Sequence, residues 1–134
     1  MFVGLSRVVE PDVYFLAHHD HFKKDAPDAF HAHTLEAQFA CNVYVDMPQE
    51  GGELQIWSNE IDPYKFDSLR GESYGIDPAI LGEPDLVLRP SPGDIIIFNS
   101  RKMHAVAPGR YNSRVSLSCF IGYRGEHSPL TYWS

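Results

Sequence analysis

The segment His18-His19-Asp20 carries an imidazole and a carboxylate two residues apart. On an extended chain such residues share a face, so His18 and Asp20 point together while His19 points elsewhere. That pair can hold one edge of a divalent metal. A second histidine from a distant strand completes a two-histidine, one-carboxylate facial triad with open coordination positions. His104 is the candidate, reached after the turn Pro92-Gly93-Asp94, an apolar strand ending at Phe98 and a short connection. The competing reading of His104 is a hydrogen-bonded core histidine.

Ten residues further along stands Arg114-Val115-Ser116. Alternation puts Arg114, Ser116, Ser118 and Phe120 on one face of the last strand. Val115, Leu117, Cys119 and Ile121 form an apolar set on the other, which is expected to pack against the core or covering elements. An arginine facing the interior needs an anion. A guanidinium beside a hydroxyl suits a carboxylate gripped through paired N–H groups. An internal Asp or Glu partner is the alternative, and the neighbouring strands offer no obvious one. Asn42 and Tyr44 share a face with Gln38 and Ala40, opposite an apolar row. That polar row looks either into solvent or into a wet pocket; parity alone does not decide.

The elements that must position these groups read as short strands separated by turns, the pattern of an all-β sandwich or barrel. Strands are expected over residues 2–9, 13–18, 36–45, 53–57, 86–88, 94–98, 103–106 and 114–123. The strand at 94–98 reads as buried, and the one at 53–57 as the hairpin partner of 36–45. Residues 58–85 break the pattern. Asp62 caps, Pro63 opens and Gly71 ends a short helix, and Asp77-Pro78 repeats that grammar for about one turn. This excursion either packs on a sheet edge or covers a site.

A chain of 134 residues fits one domain, 1–134, without internal repeats. Eleven Lys plus Arg against eighteen Asp plus Glu give a formal charge of −7. No basic cluster marks a nucleic-acid or anionic-membrane partner, and the longest apolar runs are strand-sized. The N-terminal residues lack the pattern of a secretory signal, so a cytoplasmic location is expected. Cys41 and Cys119 both sit in apolar runs and read as small core residues. Five of the seven histidines fall between His18 and His33.

Taken in order, His18-x-Asp20, Asn42-Val43-Tyr44-Val45 leading into Gly51-Gly52-Glu53-Leu54, Pro92-Gly93-Asp94 with Phe98, His104 and Arg114-x-Ser116 resemble the iron(II)- and 2-oxoglutarate-dependent dioxygenases. The nearest branch is the prolyl-4-hydroxylase-like one, and the resemblance runs from about residue 5 to 123. It implies a double-stranded β-helix, a jelly-roll or cupin-like barrel, with short helical insertions and without the family's N-terminal helices. His18, Asp20 and His104 match the iron ligands. Arg114 and Ser116 match the pair holding the distal carboxylate of 2-oxoglutarate, with Tyr44 and Asn42 as further cosubstrate contacts. Fe(II), 2-oxoglutarate and dioxygen are then the cofactors. The implied reaction couples oxidative decarboxylation of 2-oxoglutarate to hydroxylation, or a related C–H oxidation, of a small or amino-acid-like molecule. The family's halogenases replace the carboxylate ligand with a small residue, and this chain keeps Asp20. The missing N-terminal elements suggest an exposed apolar sheet face and a homodimer.

Two alternatives stand beside this reading. His31-Ala32-His33 followed by Glu36 resembles a cupin metal site, although the spacing to Glu36 is short. The chain could also be an inactive, truncated scaffold that retains the pocket residues. His19, His21, His31 and His33 are expected in a rim loop, either touching substrate or solvated.

Overall fold

The computed structural model describes residues 4–134, so Phe2 and Val3 of the expected first strand lie outside the described residues. Eleven strands follow: β1 (Leu5–Val9), β2 (Phe15–His18), β3 (Ala37–Asp46), β4 (Glu50–Gly51), β5 (Leu54–Ile56), β6 (Leu86–Leu88), β7 (Ile95–Asn99), β8 (His104–Val106), β9 (Gly109–Arg110), β10 (Arg114–Tyr123) and β11 (Thr131–Trp133). Three helices, α1 (Phe22–Asp25), α2 (Phe30–His33) and α3 (Pro63–Arg70), interrupt them. The larger sheet has the order β1-β10-β3-β7, with β11 also on β10; the smaller runs β2-β8-β5-β6. Every pairing in both is antiparallel. This is the double-stranded β-helix that the motif order implies.

Alternation builds the space between the sheets. On β10, Ser116, Ser118 and Phe120 pair with Tyr44, Asn42 and Ala40 of β3, so these six share the inner face. Asn42 and Ala40 pair in turn with Ile96 and Phe98 of β7. From the smaller sheet, Leu54, Ile56 and Val106 form a buried cluster against Phe15, Leu88, Ile96 and Phe98. Apolar side chains from both sheets thus close one part of the interior, and the polar row faces the rest.

Two strand expectations need correction. The strand at β5 does not pair with β3; it crosses to the smaller sheet and lies between β8 and β6. Gly51 and Gly52, at φ +74° and +78°, turn the chain over in a conformation that residues with a Cβ rarely adopt. Nor is the apolar run at β7 buried on both sides. Ile96 and Phe98 point inward, whereas Ile95 is 63% and Ile97 57% exposed on the outer face. The outward set on β10 is likewise uncovered, with Leu117 exposed and Cys41 opposite Cys119, both free and half-buried.

The outer face of the smaller sheet is covered. Asp62 accepts hydrogen bonds from the amides of Tyr64 and Lys65 and caps α3, with Pro63 in its first turn. Phe66 of that helix then packs in a buried cluster with Ala17, Trp57, Ile76, Met103 and Ala105. Ile76 and Ala17 exchange both main-chain hydrogen bonds at 2.9 Å, and the Leu16 amide donates to the Tyr74 hydroxyl at 2.8 Å. Gly75 permits this approach, because a Cβ there would come 2.7 Å from the Ala17 carbonyl oxygen. The excursion is therefore packing that clamps β2, the strand leading into His18.

Candidate metal centre

His18 ends β2 and pairs directly with His104 at the start of β8. Their ring centroids lie 4.4 Å apart, and His104 Nε2 is 3.4 Å from Asp20 Oδ2. One ligand atom from each of His18, Asp20 and His104 falls within 4.8 Å of the others. Among the described residues this is the group of histidine, cysteine and carboxylate side chains that could close on one ion.

The hydrogen bonds around the triad set the tautomers. His18 Nδ1 lies 2.8 Å from the Leu16 carbonyl oxygen, and His104 Nδ1 lies 2.9 Å from that of Lys102. A carbonyl only accepts, so each ring donates through Nδ1, which leaves Nε2 available to a metal. Backbone anchoring of this kind orients histidine ligands in metal sites. Burial, then the neighbouring His104, pushes the His18 pKa down to about 4, so the ring is neutral near pH 7. Burial works to raise the Asp20 pKa, but its hydrogen bond with His104 and the nearby charges of His104, His18 and Arg7 outweigh it, and the net shift is downward. One carboxylate and two imidazole nitrogens free of main-chain bonds form a donor set that fits a divalent transition metal with open positions.

The loop carrying Asp20 is fastened to the larger sheet. The Asp20 amide donates to the Ser100 carbonyl at 2.9 Å, and Gln38 Nε2 donates to the Asp20 carbonyl at 3.2 Å. Gln38 Oε1 accepts from the Phe22 amide at 3.0 Å. Gln38 is buried, and this bridging role has no sequence signature beyond its inward parity.

Arg114, Ser116 and Asn42 line the same cleft as the triad. Arg114 is only 7% exposed, yet its Nε and Nη1 have no hydrogen-bond partner among the described residues. Tyr44 lies beneath it, 5.5 Å from ring centroid to guanidinium carbon, and its buried hydroxyl is also unpartnered. At this point Val45 is an extra residue in β3, since Ser116 pairs with Tyr44 but Val115 with Asp46. Such a bulge re-aims neighbouring side chains. Burial lowers the Arg114 pKa, with Tyr44 opposing, and burial raises that of Tyr44. Buried donors without acceptors cost free energy on the order of 1–3 kcal/mol each, which an anionic ligand would recover.

Six of the seven expected site residues therefore line one cleft, and the seventh, Tyr44, lies against Arg114. His31 and His33 do not join them: they sit exposed on α2, with the His33 ring against the Pro27 carbonyl. His19 corrects the expectation of a rim position. It is 7% exposed and packs on Phe66 at 4.4 Å between centroids. Arg7 is a cleft residue the sequence reading passed over. It lies on β1 opposite Ser116, and the alternation of Leu5, Arg7 and Val9 on one face was the available signal.

Comparison with known proteins agrees with this geometry. The 2OG-Fe(II) oxygenase superfamily matches residues 3–122. An L-gamma-glutamyl-L-propargylglycine hydroxylase from Streptantibioticus cattleyicolor is 30% identical over 99% of this chain and 48% of its own length. An L-isoleucine 3(1)-dioxygenase from Pantoea ananatis is 27% identical over 80% of this chain and 37% of its own. The chain thus spans about half or less of these relatives. In fold it is similar to an N-substituted L-amino acid dioxygenase from Burkholderia ambifaria, also solved with alpha-KG. The TM-score is 0.69 at 17% identity, over 98% of this chain and 52% of that one. No described helix is long and apolar enough to cross a membrane. With so much of its length matched, the chain is a member of the 2OG-Fe(II) oxygenase superfamily.

Proposed function

We propose that this chain is a single catalytic unit, residues 1–134, of a ferrous-iron- and 2-oxoglutarate-dependent dioxygenase that hydroxylates a small amino-acid-like molecule. One observation carries the reading: two imidazoles with Nδ1 committed to main-chain carbonyls face the Asp20 carboxylate, in the same cleft as an unpaired, buried Arg114. In this assignment His18 Nε2, Asp20 and His104 Nε2 hold the iron. Arg114 and Ser116 hold the distal carboxylate of 2-oxoglutarate, with the Tyr44 hydroxyl as a third donor and Asn42 alongside.

Iron held there would supply the oxidation with dioxygen as oxidant, one oxygen atom going to 2-oxoglutarate as it becomes succinate and carbon dioxide and the other to the substrate C–H bond. This chain's own contribution is position and electrostatics. Arg114 fixes one end of the cosubstrate so that its other end meets the triad. Phe15, Leu54, Phe98 and Val106 give the cleft an apolar wall. Retention of Asp20 supports hydroxylation over halogenation. The prolyl-4-hydroxylase-like placement rests on motif order and spacing. The amino-acid class is favoured because the relatives above are named for L-isoleucine and for a gamma-glutamyl amino acid.

The test is iron-dependent formation of succinate from 2-oxoglutarate by the purified chain, with and without L-isoleucine, and mass analysis for a product gaining one oxygen atom. Succinate that requires ferrous iron and vanishes in Asp20→Ala is the expected result. A folded protein that binds both iron and 2-oxoglutarate but forms no succinate would contradict it and favour the inactive scaffold.

A further inference from the structure

We infer that Arg7 holds the carboxylate of the substrate, a second anion anchor separate from the one at Arg114. The inference rests on the functional reading above and adds the group that would recognise the substrate class. Arg7 lies on β1 directly opposite Ser116 and lines the cleft beside the triad. Its Nε is buried without a hydrogen-bond partner, and no carboxylate of the described residues forms an ion pair with it. The triad and Arg114 line this same cleft.

Charge balance decides what it binds. A divalent ion is matched by Asp20 and by the keto-acid carboxylate of 2-oxoglutarate, and Arg114 by the distal carboxylate. Arg7 is then a cation in excess. Two guanidinium groups sharing a partly dry cleft repel each other unless each has its own anion. With iron and 2-oxoglutarate in place, the charge still unmatched is the one that an amino-acid carboxylate supplies, and a guanidinium grips that group through paired N–H donors. The edge position of β1 puts this anchor on the opposite side of β10 from Tyr44.

The test uses protein loaded with zinc(II) and 2-oxoglutarate, which binds without turning over, and titration calorimetry with L-isoleucine, N-acetyl-L-isoleucine and their two carboxamides. Wild type should bind at least one acid about ten- to a hundredfold more tightly than its amide, the range expected for a charged hydrogen-bonded pair. Arg7→Ala should bind acid and amide within about threefold of each other while keeping its affinity for 2-oxoglutarate, and Arg7→Lys should fall between. Retained 2-oxoglutarate binding also shows that the variant is folded. If Arg7→Ala weakens 2-oxoglutarate as Arg114→Ala does, or keeps its preference for the acid, the inference is overturned. If wild type binds none of the four, the amino-acid substrate class fails and this assignment fails with it, whereas iron-dependent succinate formation would still stand.

Discussion

At the metal end of the cleft each histidine commits Nδ1 to a main-chain carbonyl, and the loop bearing Asp20 is tied down by Gln38 and Ser100. At the other end, the Arg114 Nε and Nη1 and the Tyr44 hydroxyl are equally buried and have no partner. The difference is instructive. A metal ligand must be aimed before the ion arrives, so its other polar atoms are satisfied by the fold. A carboxylate-binding group needs its donors free, and the free energy lost in leaving them unpaired is recovered only when the ligand enters. One end is preorganised by hydrogen bonds and the other by packing.

The comparison can be broken most sharply at the arginine. Arg114→Ala should weaken 2-oxoglutarate binding by about ten- to a hundredfold while leaving metal affinity near wild type, measured by titrating each separately. The same variant should fold at least as stably as wild type, because it removes unsatisfied buried donors. Gln38→Leu probes the opposite end. It deletes both hydrogen bonds that Gln38 makes to the Asp20 loop and leaves the one to Ser100, and metal affinity should fall about tenfold, at the low end of what outer partners of metal ligands are worth. Binding of 2-oxoglutarate to the metal-saturated variant should change much less.

Acid separates the two ends with a smaller effect. Burial, and then His104, holds the His18 pKa at about 4 in the folded chain against 6.5 when free. Between those values the unfolded chain binds a proton that the folded chain does not, so stability falls as pH drops through that window. The loss for metal-free protein should be on the order of 2 kcal/mol from this ring, read from urea midpoints at pH 7 and pH 4.5. His18→Gln should flatten that dependence. Arg114 carries its charge throughout this range, so its replacement should leave the slope unchanged.

Much of this was legible because side-chain period survives folding. His18-x-Asp20 and Arg114-x-Ser116 each place two groups on one face wherever an extended strand forms, and the caps at Asp62 and Asp77 act locally. What the sequence hid depends on tertiary partners. Gln38 works through side-chain bonds to main-chain groups far along the chain, which leave no pattern. His19 reads as a loop residue until α3 delivers Phe66 against it. The strand at β5 follows its predecessor through a tight glycine turn, like a hairpin, yet pairs in the other sheet. Ile95 and Ile97 read as core, but nothing among the described residues covers the outer face they occupy.

The most direct test is metal stoichiometry by equilibrium dialysis against ferrous iron without oxygen, comparing wild type, Asp20→Ala and the pair His31→Ala and His33→Ala. One iron per chain in wild type and in both α2 variants, with none retained by Asp20→Ala, is the predicted result. Iron lost from the α2 variants but kept by Asp20→Ala would place the metal elsewhere and contradict the account.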